Sequence, residues 1–310
     1  MEVFYSNARS HALWYKENMP FIMDCYGKSI QFRDCNDKKP VFSLEAIHPY
    51  PLCASPDGKN YAFATGNKII VVNSVTKESS QYTLSSKYLF DSKIMADFVT
   101  NDKIVCVFTA MRACVPNSVI CVIDLKEGKL KAIKALKNTL ISGFCNIGKD
   151  ICLLGLYRES KGLFDCEQDL FVAHFDGVLT DKIRGIRIPS KRNEWLTLEK
   201  ICSYNPYTNE YLAINTKRNS IVLLDGNFKY VKRCDIEHDA IWQTMVQYAG
   251  WYNNGNGIYA LTSDGIVTLD KDTLKPLDSG GGIMMSSARG LFYDRHISCF
   301  GVAGCSIIKL

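Results

Sequence analysis

Apolar residues in this chain recur with a period of two and come in short runs. Tyr61-Ala-Phe-Ala-Thr65, Lys68-Ile-Ile-Val-Val72, Lys103-Ile-Val-Cys-Val-Phe108, Ser118-Val-Ile-Cys-Val-Ile-Asp124, Asp169-Leu-Phe-Val-Ala-His174 and Ser220-Ile-Val-Leu-Leu-Asp225 are rich in β-branched and aromatic residues. Each is bounded by Asn, Asp, Gly or Lys, which is the pattern of a strand between turns. No stretch of a dozen residues carries a 3.6-residue apolar stripe, so the chain is predicted to be all-β.

The runs repeat. Ser55-Pro-Asp-Gly-Lys-Asn-Tyr-Ala-Phe-Ala-Thr-Gly-Asn-Lys-Ile-Ile-Val-Val72 and the stretch from Asn205 to Asp225 share one order: turn, strand, short polar turn, second strand. The same order returns from Tyr15 to Phe32, Asn101 to Asp124, Gly148 to Asp176, Asn253 to Asp270 and Tyr293 to Leu310. Seven copies spaced by about 40 to 59 residues match one four-stranded antiparallel blade each, the unit of a β-propeller. In each copy the strand before the turn is named a, the next two b and c, and the run after the following turn d. A seven-bladed propeller is therefore expected, with six blades as the alternative.

The ends fit that reading. The seventh copy stops after its third strand, Ser306-Ile-Ile-Lys-Leu310, and an extra strand, Met1-Glu-Val-Phe-Tyr-Ser6, precedes the first copy. If the N-terminal strand completes the last blade, the unpaired edge is filled. The expected blades span about 11–47, 50–85, 93–137, 140–190, 197–237, 244–279 and 286–310 plus 1–7, so that residues 1–310 form one domain.

Composition agrees. With 47% hydrophobic and 22% charged residues among 310, the chain can bury a large core, which excludes a disordered or fibrous protein. A net charge of +5 is too mild for a dedicated nucleic-acid arm, and no nucleic-acid partner is expected. The 13 cysteines contain no C-x-x-C spacing, so no metal site is expected, and most lie within apolar runs as small buried hydrophobes. That usage fits a reducing compartment. No apolar run is long enough to span a membrane, and the first residues, Met1-Glu-Val-Phe-Tyr, lack the form of a secretory leader. The expected location is the cytoplasm, and the chain would be secreted or lipid-anchored only if a leader had been removed.

Catalytic motifs are missing: there is no G-x-x-x-x-G-K-[ST], G-x-G-x-x-G, G-x-S-x-G or H-E-x-x-H, and neither catalytic residues nor a cofactor is assigned. Gly280-Gly-Gly282 is read as a loop between blades. Among five histidines, His174 falls in a strand and His296 in a turn, whereas His11, His48 and His238 fall in connections from strand d of one blade to strand a of the next. Those connections converge on one rim of a propeller. Arg9, Tyr50, Tyr88, Arg192, Trp195 and Trp242 share them, and the b-to-c loops of the same face add Arg112. Tyr, Trp and Arg give large contact area with directional hydrogen bonds, so this face is the candidate binding surface. Glu159, Asp165, Glu167, Glu194 and Asp239 make it mixed in sign. Trp242 and Trp251 are equally readable as plugs between blades, and the long loop from Arg158 to Gln168, with apolar Leu163 and Phe164 at its tip, is a further partner contact.

Ser55-Pro-Asp-Gly58 followed by an alternating strand resembles the strand-turn-strand signature of WD-repeat, YVTN-type and TolB-like propellers. The chain departs from true WD repeats in having no Trp-Asp and no Gly-His pair. The resemblance implies a platform that binds peptides or small molecules and does not identify a reaction. The leading expectation is a monomeric, non-catalytic scaffold for a protein or peptide partner. The alternatives are a lactonase- or lyase-type enzyme using His and Arg at the channel mouth, and a sensor of a small anionic ligand.

Overall fold

The computed structural model describes residues 1–7, 10, 13–14, 21–83, 93–112, 115–147, 150–158, 166–175, 179–187, 200–215, 219–236, 245–281, 289–293, 295–301 and 304–310. Their regular structure is all strand, in the order β1 (Glu2–Asn7), β2 (Leu13–Trp14), β3 (Phe21–Tyr26), β4 (Ser29–Asp34), β5 (Pro40–Glu45), β6 (Tyr50–Ala54), β7 (Asn60–Thr65), β8 (Lys68–Asn73), β9 (Ser79–Thr83), β10 (Lys93–Thr100), β11 (Lys103–Arg112), β12 (Val115–Asp124), β13 (Lys129–Lys137) and β14 (Thr139–Ile147). There follow β15 (Asp150–Arg158), β16 (Cys166–Phe175), β17 (Leu179–Arg187), β18 (Lys200–Asn205), β19 (Glu210–Asn215), β20 (Ser220–Leu224), β21 (Tyr230–Asp235), β22 (Val246–Tyr252), β23 (Gly257–Thr262), β24 (Gly265–Asp270), β25 (Pro276–Gly281), β26 (Arg289–Tyr293), β27 (His296–Gly301) and β28 (Gly304–Lys309). Among the described residues they form seven four-stranded antiparallel sheets, the blades of a propeller.

The strands group into two compact units, residues 1–46 with 198–310, and residues 47–197. In the first, the sheets are β2–β5, β18–β21, β22–β25 and β26–β28 with β1. In the second they are β6–β9, β10–β13 and β14–β17.

Apolar runs become b and c strands because those strands are covered on both faces. In β8, Ile69, Ile70, Val71 and Val72 are all buried, as is every residue of β20. Alternate residues then serve different neighbours. In the second unit, Ile69 and Val71 of β8 join Phe98 of β10, Cys106 of β11 and Cys121 of β12 in one cluster, while Val105, Val107, Ile120 and Val122 join Ile141 of β14 in another. The described outer strands are mostly exposed, and β9 buries only Tyr82. Of the ten cysteines whose side chains are described, nine are buried.

A recurring turn links strand c to strand d. Asp34, Asn73, Asp124 and Asp270 end a strand c and Asp225 directly follows one, and the side-chain Oδ1 of each accepts from backbone N–H groups two to four residues on. Three or four residues later the backbone turns left-handed, at Lys38, Lys77, Gly128, Phe228 and Leu274. The carboxylate or amide substitutes for a backbone acceptor and fixes the turn locally.

The last sheet is completed from the other end of the chain, as expected. β1 pairs antiparallel with β28, placing Val3 opposite Ile308 and Ser6 opposite Ser306. The edge that β28 would otherwise expose is thereby satisfied. This sheet is also tied to the first. β2 lies against β27 and β28, Lys38 Nζ donates to Phe4 O at 2.9 Å, and that ammonium sits 4.2 Å over the Phe4 ring.

Two local expectations change. Gly280 and Gly281 belong to β25, with Gly280 opposite Ile266, so these two glycines end a strand, and Gly282 lies outside the described residues. His296 opens β27 and is buried, its ring edge-on to Phe4 of β1 at 5.3 Å; the Phe4 ring gives an apolar cover that a turn position alone did not announce.

Candidate interaction surface

The segment Ile47–Tyr50 leads into β6 in the second unit. Thr65, the last residue of β7, donates its Oγ1 hydrogen to Ile47 O at 2.6 Å. That bond fastens a d-to-a connection beside the b-to-c turn Gly66–Asn67, so both loop classes of the expected face meet here. Pro49 is buried, and Tyr50 is half-buried against the cluster containing Leu52, Ala64 and Ile69. The loop is therefore fixed below by Pro49 and Tyr50 and at its side by Thr65.

What it presents outward is Ile47, 68% exposed, and the exposed His48. His48 is held at φ 46°, in the left-handed region that a branched or ring-bearing L residue enters at an energetic cost. His48 has no hydrogen-bond or ion-pair partner among the described residues. A β-branched apolar side chain, an imidazole and a polar turn on one fastened tip form a contact element of the kind found at interfaces.

Of the other residues singled out from sequence, Arg112 is the last residue of β11, opposite Val115, at the start of a b-to-c loop. Its side chain, and all of Arg9, His11, Tyr88, Arg192, Trp195, His238 and Trp242, lie outside the described residues, as do residues 159–165 of the long loop. Trp251 sits in β22, half-buried against the cluster of Leu212, Ile258 and Leu269, and so serves packing. Sequence reading missed Ile47 and Thr65. The only signal was an isolated β-branched residue among turn formers, and a threonine at a strand end.

Several buried cysteines are poor nucleophiles. Burial pushes the Cys121 thiol from 9.0 up to about 12. Burial and then the charge of Asp24 do the same to Cys305. A thiol so shifted stays protonated at neutral pH. Among the described residues no group of His, Cys, Asp and Glu is arranged to hold a metal ion, and no helix is long and apolar enough to cross a membrane.

No protein-family model matches this chain, and no curated protein sequence matches it. Solved structures do. The Cps50 (Swd1) β-propeller domain of Myceliophteria thermophila aligns over 100% of this chain and 99% of its own, with a TM-score of 0.68 at 10% identity. The RRP9 WD40 repeats align over 100% and 97%, with a TM-score of 0.69 at 10% identity. Hsv2 of Kluyvelomyces marxianus aligns over 94% and 89%, with a TM-score of 0.60 at 11% identity. At these identities the likeness is one of fold, that of a β-propeller, and this chain has no Trp-Asp signature.

Proposed function

We propose that this propeller is a non-catalytic interaction platform that recognises a protein or peptide partner through the loops on the face bearing His48. The observation that carries the reading is the Ile47–His48 tip, exposed and fastened by Thr65 and Pro49. A preorganised apolar and polar pair loses little entropy on binding, which favours a contact site over an idle loop. Support also comes from the fold, since the solved neighbours include WD40 repeats. The abundant thiols fit a partner met in a reducing compartment.

The test is capture from cell extract by the immobilised protein, wild type against Ile47→Asp/His48→Ala, with thermal melting of both. Loss of a reproducibly captured partner at unchanged melting temperature supports the assignment. Undiminished capture by that variant moves the surface elsewhere, and undiminished capture by a further variant replacing Arg192, Trp195 and Trp242 overturns the choice of face.

A further inference from the structure

A different surface, the outer edge of the β10–β13 sheet, carries a charge pattern that the loop face does not account for. β13 hydrogen-bonds to β12 alone among the described strands, so among the described residues the other side of its backbone is an open edge. The strand is nine residues long, against five for β9 in the same unit. From Lys126 to Lys137 there are five lysines and one acidic residue, Glu127. Lys126 pairs with Asp102 at 2.8 Å and Lys129 with Glu127 at 3.7 Å. Lys131, Lys134 and Lys137 are exposed and have no ion-pair partner among the described residues.

Lysine on an edge strand ordinarily guards against self-association, because a second copy of the same strand would bring like charges together. That role alone does not explain the number. β9 is an outer strand too, and Ser79-Ser-Gln-Tyr-Thr83 has no charge at all. In β13, moreover, Ala132 and Ala135 are exposed between the lysines, leaving the backbone edge unshielded by bulk. Leu130 packs against one buried cluster, and Ile133 and Leu136 against another, which anchors the strand in place. An anchored, accessible edge that repels its own copy and attracts carboxylates selects one kind of ligand.

We propose that β13 is a docking edge for an extended acidic peptide segment, which adds as a fifth strand and sets its carboxylates against Lys131, Lys134 and Lys137. Backbone hydrogen bonds supply the pairing and the lysines supply the selection. The site lies on a strand edge, not in the loops bearing His48, so it stands or falls apart from the function proposed above.

The probe is a fluorescent peptide of about ten residues, the length of a long strand, alternating glutamate with threonine and valine. Its anisotropy is read on the whole protein at low salt. Binding is expected to weaken at least tenfold in Lys131→Glu/Lys134→Glu/Lys137→Glu, and at least threefold in the corresponding Lys→Gln variant. Retention in the Lys→Arg variant and unchanged melting temperatures are expected alongside. The same peptide methylated at consecutive backbone nitrogens, equal in charge, should bind at least tenfold more weakly. Equal binding of the methylated peptide overturns strand addition. No binding of the parent peptide at low salt, or tighter lysine-dependent binding of an RNA oligomer or of phosphatidylserine vesicles, overturns the acidic-peptide assignment.

Discussion

Arg33 Nε donates to Asp24 Oδ2 across 3.2 Å, with the carboxylate side chain 4% exposed and the guanidinium 21%. Asn7 Nδ2 donates to the same oxygen at 3.3 Å, so this pair ties the N-terminal strand β1 to the first sheet. Asp24 Oδ1 is buried and has no hydrogen-bond partner among the described residues. A carboxylate in that position depends on its remaining contacts, and removing the arginine leaves it uncompensated. Arg33→Met is expected to destabilise the fold by about 3 kcal/mol, the low end for a buried pair because the arginine is partly exposed. Replacing both groups, Asp24→Asn/Arg33→Met, should recover more than half of that loss. Urea unfolding of the three variants checks the coupling, and additive losses would show that the pair does not act as a unit.

The turn that follows strand c predicts an acid-sensitive arm. Asp270 Oδ1 accepts from the Thr273 backbone N–H and hydroxyl, both at 2.7 Å. Those bonds hold its carboxyl below the ordinary value of 3.8. A group with a depressed folded value contributes stability above its unfolded value and loses it as pH falls through the folded one. Asp270→Ala should therefore lower the melting temperature at pH 7, and the difference from wild type should shrink below pH 4. Asp270→Asn should be close to wild type at both, because Asn73 performs the same capping in its own turn.

Much of this architecture is legible locally. The runs Lys68–Val72 and Ser118–Asp124 announce strands because b and c strands are covered on both faces, which demands nearly continuous apolar residues. Outer strands give less, since Ser79–Thr83 buries one residue in five and has no usable period. The left-handed residue in these five described turns is hidden as well: glycine marks it only at Gly128 among them, while Lys38, Lys77, Phe228 and Leu274 adopt it because the preceding Asp or Asn accepts the turn's N–H groups. Pairing of β1 with β28 was readable from an unmatched strand at each end. At the candidate surface, His48 was visible as a loop histidine. Its backbone strain and the fastening of Ile47 by Thr65 depend on a contact 18 residues away, which no local pattern encodes.

The buried cysteines predict the opposite, alkaline arm. Cys121 and Cys305 are raised from 9.0 to about 12 in the folded protein, and Cys106 and Cys25 are raised well above 9.0 by burial. A raised folded value means stability fully present below pH 9 and lost as pH climbs toward the folded value, because the unfolded thiols ionise first. At pH 10.5 the loss is about 2 kcal/mol for each of Cys121 and Cys305. Cys121→Ala/Cys305→Ala should be less stable than wild type at pH 8 and lose less stability between pH 8 and pH 10.5, measured by urea midpoints. Parallel losses in the two proteins would remove the thiols as the cause.

His48 separates a role in folding from one in binding. Its φ of 46° is comfortable for glycine and costly for histidine, and its side chain is exposed. If the residue served the fold alone, glycine would be the better choice. His48→Gly is thus expected to raise stability by about 0.5–1 kcal/mol while abolishing partner capture. His48→Ala keeps the strain, removes the imidazole and should lose capture without gaining stability. Calorimetric melting and the capture assay are run on the same preparations. A glycine variant that captures as well as wild type would assign the left-handed histidine no part in recognition, and one less stable than wild type would show that the ring contributes contacts to the fold.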